Sequence, residues 1–246
     1  MLLVSNWKAY VENMKKAEEL VALAKTLSNK GHEIVLAPSN PHLGLLLKSN
    51  RSKVRFASQD FGDTMSGAHT GEVTAATIAG VGVTYSILGH SERRTAGESD
   101  EIISSKVRRA LAHGLRPIVC IGERERDSEA RYLIFLRTQI KKVMEGLSQK
   151  EQMQIIWAYE PIWAIGKTAD EATTPDDLLE MILYIRKVLG EFLPGRSSEK
   201  VTILYGGSVE SLNAKELASG TGIDGFLIGH SSVDVEAFSG IVKAVT

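Results

Sequence analysis

The tripeptide Gly-His-Ser occurs twice, in ILGHSERR (87–94) and in FLIGHSS (226–232), each time after an apolar, β-prone run. A histidine at the end of a buried strand is well placed for chemistry. Other short apolar runs also end on polar residues: Asn6 to Lys8, Gly122-Glu123, Glu160, and Gly206-Gly207-Ser208. The set contains an ammonium (Lys8), an imidazole (His90) and a carboxylate that opens a loop (Glu160), with two Gly-Ser turns. Gly-Ser turns that lead into helix N-termini expose backbone N–H groups, which favour a phosphate. A carboxylate, an imidazole and an ammonium facing one phosphorylated ligand point to proton abstraction beside a carbonyl. The carboxylate removes the proton, and the other two stabilise the developing oxyanion.

Such a set works only if the elements bring it together. Eight runs read as strands: 2–7, 33–38, 54–59, 83–88, 116–121, 154–159, 201–206 and 224–229. They are apolar throughout rather than alternating, as strands buried on both faces are. The segments between them read as helices. In 131–148, Leu133, Leu136, Ile140, Val143 and Leu147 recur at steps of three and four. In 99–114, Ser99 suits a cap, Asp100 and Glu101 the first turn, and Gly114 the stop. At 174–177, Thr174 precedes Pro175 as a cap, with Asp177 three residues after it. Residues 14–27 carry Met14, Ala17, Leu20, Val21, Ala24 and Leu27 on one face. Eight strands alternating with helices predict a closed α/β barrel, (β/α)8, of eight parallel strands, formed as one domain over 1–246. An open doubly wound sheet is the competing layout, but its nucleotide fingerprints are missing. GVGVTY (80–85) precedes a strand instead of following one and reads as a turn. In a barrel the strand C-termini form the active rim, where the polar residues above fall. The segment PIWAIGKTADEATTP (161–175) reads as a lid, with Ile165 and Leu227 able to press on Glu160 and exclude water.

Composition narrows the partners. Lys plus Arg number 29 and Asp plus Glu 30, a net charge of −1, which gives no support for a nucleic-acid or membrane partner. Cys120 is the only cysteine, so neither an intrachain disulfide nor a cysteine metal cage can form. No apolar run reaches membrane-span length, and MLLVSNWKAY does not read as a signal peptide. These features predict a cytoplasmic protein.

Seven segments, SNWKAY (5–10), SGAHTGEV (66–73), LGHSERR (88–94), VCIGE (119–123), AYEPIWAIGK (158–167), YGGSV (205–209) and DGFLIG (224–229), together resemble the triosephosphate isomerase family, in its order and spacing. The resemblance implies a TIM barrel that interconverts dihydroxyacetone phosphate and D-glyceraldehyde 3-phosphate, a step of glycolysis and gluconeogenesis, with no cofactor and no metal. It implies that Glu160 shuttles the proton, that His90 is a neutral hydrogen-bond donor, and that Lys8 stabilises the enediolate and the phosphate. Asn6 adds a hydrogen bond, and Glu92 stands behind Lys8. Backbone N–H groups of Gly166, Ser208, Gly229 and His230 hold the phosphate. It further implies a homodimer through loop 60–72, with Thr70 buttressing the other subunit's Asn6. Three features depart from the family. His230 stands where glycine is usual, and His69 where an apolar residue is common. After Ala-Ile-Gly (164–166) the lid lacks the usual Thr-Gly and is slightly longer.

Other readings stay open at this level: an isomerase of another short ketose phosphate such as a tetrulose phosphate, a catalytically silent barrel, or a Schiff-base aldolase using Lys8. Cys120 reads as a packed core thiol, the three tryptophans as packing, and GERERDSEAR (122–131) as the charged, solvated start of a helix.

Overall fold

The computed structural model describes residues 1–166 and 173–246. Among them, eight parallel strands close into a barrel in chain order. The strands are β1 (Leu2–Asn6), β2 (Glu33–Ala37), β3 (Arg55–Ser58), β4 (Tyr85–Leu88), β5 (Arg116–Ile121), β6 (Ile156–Tyr159), β7 (Ile203–Tyr205) and β8 (Gly225–Ile228). β1 pairs with both β2 and β8, which closes the ring. Each predicted run is a strand, and all except 116–121 are shorter by one to three residues at their ends, where the chain leaves the ladder for a loop.

The outer layer follows as α1 (Met14–Ser28), α2 (Asn40–Ser49), α3 (Ala75–Gly80), α4 (Ser91–Thr95), α5 (Asp100–Ala112), α6 (Arg131–Met144), α7 (Gln149–Gln152), α8 (Pro175–Leu189), α9 (Ala214–Ala218) and α10 (Val235–Ala244). The predicted caps are in place. Ser99 accepts from the Ile102 N–H, and Thr174 from the Asp177 N–H. Satisfying these otherwise unpaired helix N–H groups fixes where α5 and α8 begin. The helix expected over 131–148 stops early, at Met144. Gly146 turns into the left-handed region at φ 73°, and Ser148 with Glu151 then forms a capping box that opens α7.

The apolar runs are continuous because each strand has two buried faces. Inward residues such as Leu2, Val4, Val35, Ile87, Ile118, Cys120, Ile156 and Leu204 fill the barrel. Outward ones such as Leu3, Ile34, Phe56, Leu88, Trp157 and Phe226 join a larger core shared with the helices. The amphipathic stripe of α1 buries Ala17, Leu20, Val21, Ala24 and Leu27 there. No helix among the described residues is long and apolar enough to cross a membrane.

Candidate active site

The strand ends of the sequence converge at the C-terminal mouth of the barrel. A cavity of about 500 Å³ is lined there by Asn6, Lys8, His90, Glu92, Glu160, Ile165, Gly166, Ser208, Leu227, Gly229 and His230, among others.

Lys8 follows β1 in an unusual backbone conformation, with φ at 46°. For a residue with a Cβ this region costs about 1–3 kcal/mol, and it persists only where neighbours enforce it. Two side chains do so. Asn6 Oδ1 accepts from the Lys8 N–H at 3.1 Å, and Gln59 Nε2 donates to the Lys8 carbonyl at 2.8 Å and to the Ala37 carbonyl at 2.9 Å. Lys8 Nζ then lies 2.7 Å from Glu92 Oε1. Partial burial pushes the Glu92 carboxyl up, but the Lys8 hydrogen bond and charge, with His90 adding to them, outweigh it and hold it below its ordinary range. Glu92 remains 62% exposed, so the pair is held at one end only.

His90 caps α4. Its Nδ1 accepts the Glu92 N–H at 3.2 Å. A nitrogen that accepts carries no proton, so the neutral ring keeps its proton on Nε2. Nε2 points to Glu160 Oε1 at 3.4 Å. The other carboxylate oxygen, Oε2, accepts the Ser91 N–H at 3.0 Å. The first turn of α4 thus orients both groups, one through Ser91 and one through Glu92.

Glu160 is only 2% exposed. Its backbone N–H donates to the Ile121 carbonyl at 2.7 Å. Two glycines press on it from either side. A Cβ at Gly122 would stand 1.7 Å from the Glu160 carbonyl oxygen, and one at Gly206 would stand 2.8 Å from Glu160 Cγ. A real Cβ essentially never comes that close, so a side chain at Gly122 would force the backbone of Glu160 to move and one at Gly206 would force the Glu160 side chain to shift. Ile165 and Leu227 share the cavity with Glu160, as expected of groups that keep water from it. Beneath, Cys120 is fully buried. Burial, then the neighbouring Glu160 carboxylate, pushes its thiol well above the ordinary range, so it is a core group and not a nucleophile.

The far end of the cavity is built from Gly206, Gly207 and Ser208 after β7 and from Gly229, His230 and Ser231 after β8. The Gly206 N–H is already taken by the Tyr159 carbonyl at 2.8 Å. Ser208 Oγ donates to the Ala164 carbonyl at 3.0 Å, tying this turn to the root of the lid segment. Of that segment, a 3-10 turn at Ile162–Ala164 and Gly166 are described; the altered stretch at 167–172 lies outside the described residues. Thr70 is exposed on loop 60–72 and does not line the cavity of its own chain. A second concavity of about 440 Å³ adjoins the first, sharing Asn6, Lys8, His90 and Glu92.

The expectation for 122–131 holds only in part: Arg124, Glu125, Glu129 and Arg131 are exposed and Asp127 Oδ1 accepts the Arg131 N–H where the helix starts, but Glu123 and Arg126 turn inward. α6 begins only at Arg131, and Glu123 is 1% exposed. Its Oε1 accepts from Tyr159 Oη at 2.8 Å, from Trp163 Nε1 at 2.9 Å and from Arg126 Nε at 3.3 Å. Arg126 also bonds Asp177 at 3.1 Å and lies 5.0 Å from the Trp163 ring centroid. These charges do not solvate a helix start. They fasten the first turn of the lid segment to β5 and α8. Gln59 is the supporting residue that sequence reasoning passes over, and Glu123 reads in the sequence only as a polar strand end and as part of a charged run. Both are polar residues at the ends of predicted strands, and that signal was available. Among the described residues no group of three or more His, Cys, Asp or Glu could hold a metal ion.

Comparison with known proteins gives one result. The family model described as triosephosphate isomerase matches residues 1–245. A triosephosphate isomerase of Fusobacterium nucleatum subsp. nucleatum is 39% identical, over 99% of this chain and 98% of that protein. One from Carboxydothermus hydrogenoformans is 37% identical, over 98% and 97%, and one from Mycoplasmoides gallisepticum is 38% identical, over 97% and 96%.

Proposed function

The chain belongs to the triosephosphate isomerase family, and from that premise we propose how its own residues interconvert dihydroxyacetone phosphate and D-glyceraldehyde 3-phosphate. The observation that carries the proposal is the buried Glu160 carboxylate 3.4 Å from a His90 nitrogen that must bear a proton, because the Glu92 N–H occupies the other. A carboxylate fixed this way is a base, and the Nε2–H is a donor aimed at the same small space.

In the proposed reaction the Glu160 carboxylate takes the proton from the carbon beside the substrate carbonyl. The electron pair left behind forms an enediolate, whose oxygens receive hydrogen bonds from His90 Nε2–H and from Lys8. The proton on the substrate hydroxyl passes to the former carbonyl oxygen beside His90 Nε2, and Glu160, now protonated, returns its proton to the former carbonyl carbon, so base and acid are one group and nothing is consumed. Asn6 fixes the Lys8 backbone and adds a donor at the mouth. Gly166, Ser208, Gly229 and His230 hold the phosphate through backbone N–H groups. A Gly-Ser turn on each of two adjacent strands suits a phosphate dianion without net positive charge in the chain. This scheme calls on no cofactor and no metal.

Residues 1–246 are read as one barrel domain, and the protein as cytoplasmic, which a single cysteine suits. It is read as a homodimer. Loop 60–72 is mostly exposed, with Met65 at 70%, and the concavity beside the cavity offers a place for the same loop of a second copy. There the partner's Thr70 would support Asn6 and, through it, Lys8.

The test is a coupled assay of purified protein on D-glyceraldehyde 3-phosphate. Turnover at rates typical of enzymes is expected; wild-type protein without turnover would sink the proposal.

A further inference from the structure

The two Gly-His-Ser copies diverge in the fold, and the second leaves a side chain that the reaction above does not use. We propose that the His230 imidazole is itself a ligand for the substrate phosphate, adding a titratable side-chain donor to a cradle otherwise made of backbone N–H groups. This deepens the functional reading above and rests on it.

His230 opens the 3-10 turn His230–Ser232 directly after β8 and stands exposed at the rim of the cavity. Its ring is seated edge-on against Tyr10, with centroids 5.3 Å apart and planes at 85°. Tyr10 comes from the loop after β1 and lines the same cavity. The pair therefore forms a wall beside Gly229 and Ser231, at the phosphate end. Both nitrogens of His90 are engaged by the site, and both nitrogens of His32 by the chain termini. Among the described residues, neither ring nitrogen of His230 has a hydrogen-bond partner. The ring is held in position by Tyr10, and its polar atoms are left for a ligand.

The charged and titratable groups facing the same cavity are Lys8 and Tyr10 after β1, His90 and Glu92 after β4, Glu160 after β6 and Glu210 after β7. Two of these carboxylates, Glu92 and Glu160, are engaged by Lys8 and by α4 with His90 respectively. A neutral imidazole offers an anion one N–H; a protonated one offers two and a positive charge. Histidine is the side chain whose charge ordinarily changes between pH 5 and 8. Anion affinity at this site should therefore be greater when the ring is protonated.

Inorganic sulfate is the probe, because it stays divalent across the range while phosphate does not. Its Kd is measured by calorimetry on wild-type protein, His230→Gln and His230→Lys, at about pH 8 and about pH 5.5, independently of turnover. For wild type, binding should tighten by roughly three- to tenfold on acidification, the scale of one charge-assisted contact at a rim. His230→Gln should lose most of that gain, and His230→Lys should bind tightly at both pH values. If His230→Gln keeps the wild-type gain, or weakens binding by the same factor at both pH values as a purely structural loss would, the proposal is overturned. Failure of the isomerase reading would look different: no turnover of glyceraldehyde 3-phosphate, whatever sulfate does.

Discussion

In the proposed reaction Glu160, His90 and Lys8 each depend on a neighbour that holds one of their atoms. The Ser91 N–H fixes one oxygen of Glu160, the Glu92 N–H fixes the tautomer of His90, and Asn6 with Gln59 holds Lys8 in a backbone conformation it would not choose. Orientation of this kind is set before substrate arrives, so no reorganisation is needed at the moment of proton transfer. Glu160→Gln keeps the size and the Ser91 contact but cannot take a proton. It should lower kcat by roughly 10²–10⁴-fold. Steady-state kinetics together with titration of a phosphate-bearing inhibitor check this: near-normal turnover would refute the assignment of the base, and loss of inhibitor binding would point to a damaged site instead.

At the scale of elements, the site depends on how closely β5, β6 and β7 approach behind Glu160. The two glycines there should respond differently. Gly122→Ala drives a methyl group into the Glu160 carbonyl, a backbone atom of a residue tied to β5 through its own N–H and the Ile121 carbonyl, so the backbone itself must move. A loss of roughly 1–3 kcal/mol of stability is expected, with activity falling alongside. Gly206→Ala meets only the Glu160 side chain at Cγ. It should push the carboxylate out of line, cutting kcat at least about tenfold while stability changes by less than about 1 kcal/mol. Urea unfolding and kcat measured on both variants decide it. Equal stability losses would show that the side chain of Glu160 is as unyielding as its backbone. The lid root belongs to the same scale. Glu123 gathers Tyr159, Trp163 and Arg126, so the segment after Glu160 starts from a fixed anchor rather than a free loop.

Across the whole molecule, charges far from the chemistry link the layers. Lys106, 2% exposed, bonds Asp60 at 2.8 Å and Glu98 at 2.6 Å, and Arg93 reaches the same two carboxylates at 2.9 and 2.7 Å. The cluster joins the loop after β3 to α5 and to the α4 segment that orients His90. Burial pushes both acids up. For Asp60 burial prevails, whereas for Glu98 the hydrogen bonds from Lys106 and Arg93 win and hold it below its ordinary value. A carboxyl depressed in the folded state contributes stability that is present above its unfolded pKa and lost as pH falls through the folded one. Glu98→Gln should therefore cost roughly 2 kcal/mol near neutral pH, the scale of a lost buried charge-assisted hydrogen bond, and the gap to wild type should narrow as pH falls below the ordinary glutamate range. Chemical unfolding as a function of pH tests it; a gap that stays constant would contradict the direction given for Glu98. Assembly is the other property at this scale. Sedimentation should give twice the chain mass, and replacing residues 65–70 by a short Gly-Ser turn should give a monomer with reduced kcat. A wild-type protein that sediments as a monomer would remove the proposed support of Asn6 by Thr70.

The eight strands, the helix caps at Ser99 and Thr174, and the polar strand ends that line one cavity are legible in the sequence by itself. These are local properties: a run buried on both faces is apolar throughout, and a cap needs only its own first turn. The sequence also carried the family, since ordered segments such as LGHSERR and AYEPIWAIGK span nearly the whole chain. Contacts between residues far apart in the chain emerge only from the fold. Gln59 meets Lys8 across 51 positions, Trp163 meets Glu123 across 40, and the ring of His230 rests on Tyr10. Barrel closure sets β8 beside β1 and so makes that last pair neighbours. A charged run such as 122–131 reads as solvated until the fold supplies a tyrosine and a tryptophan to hold its glutamate inside. The physical reason is the same in each case: hydrophobic periodicity and capping are written in adjacent residues, whereas a buried polar group becomes tolerable only when partners from other strands satisfy it.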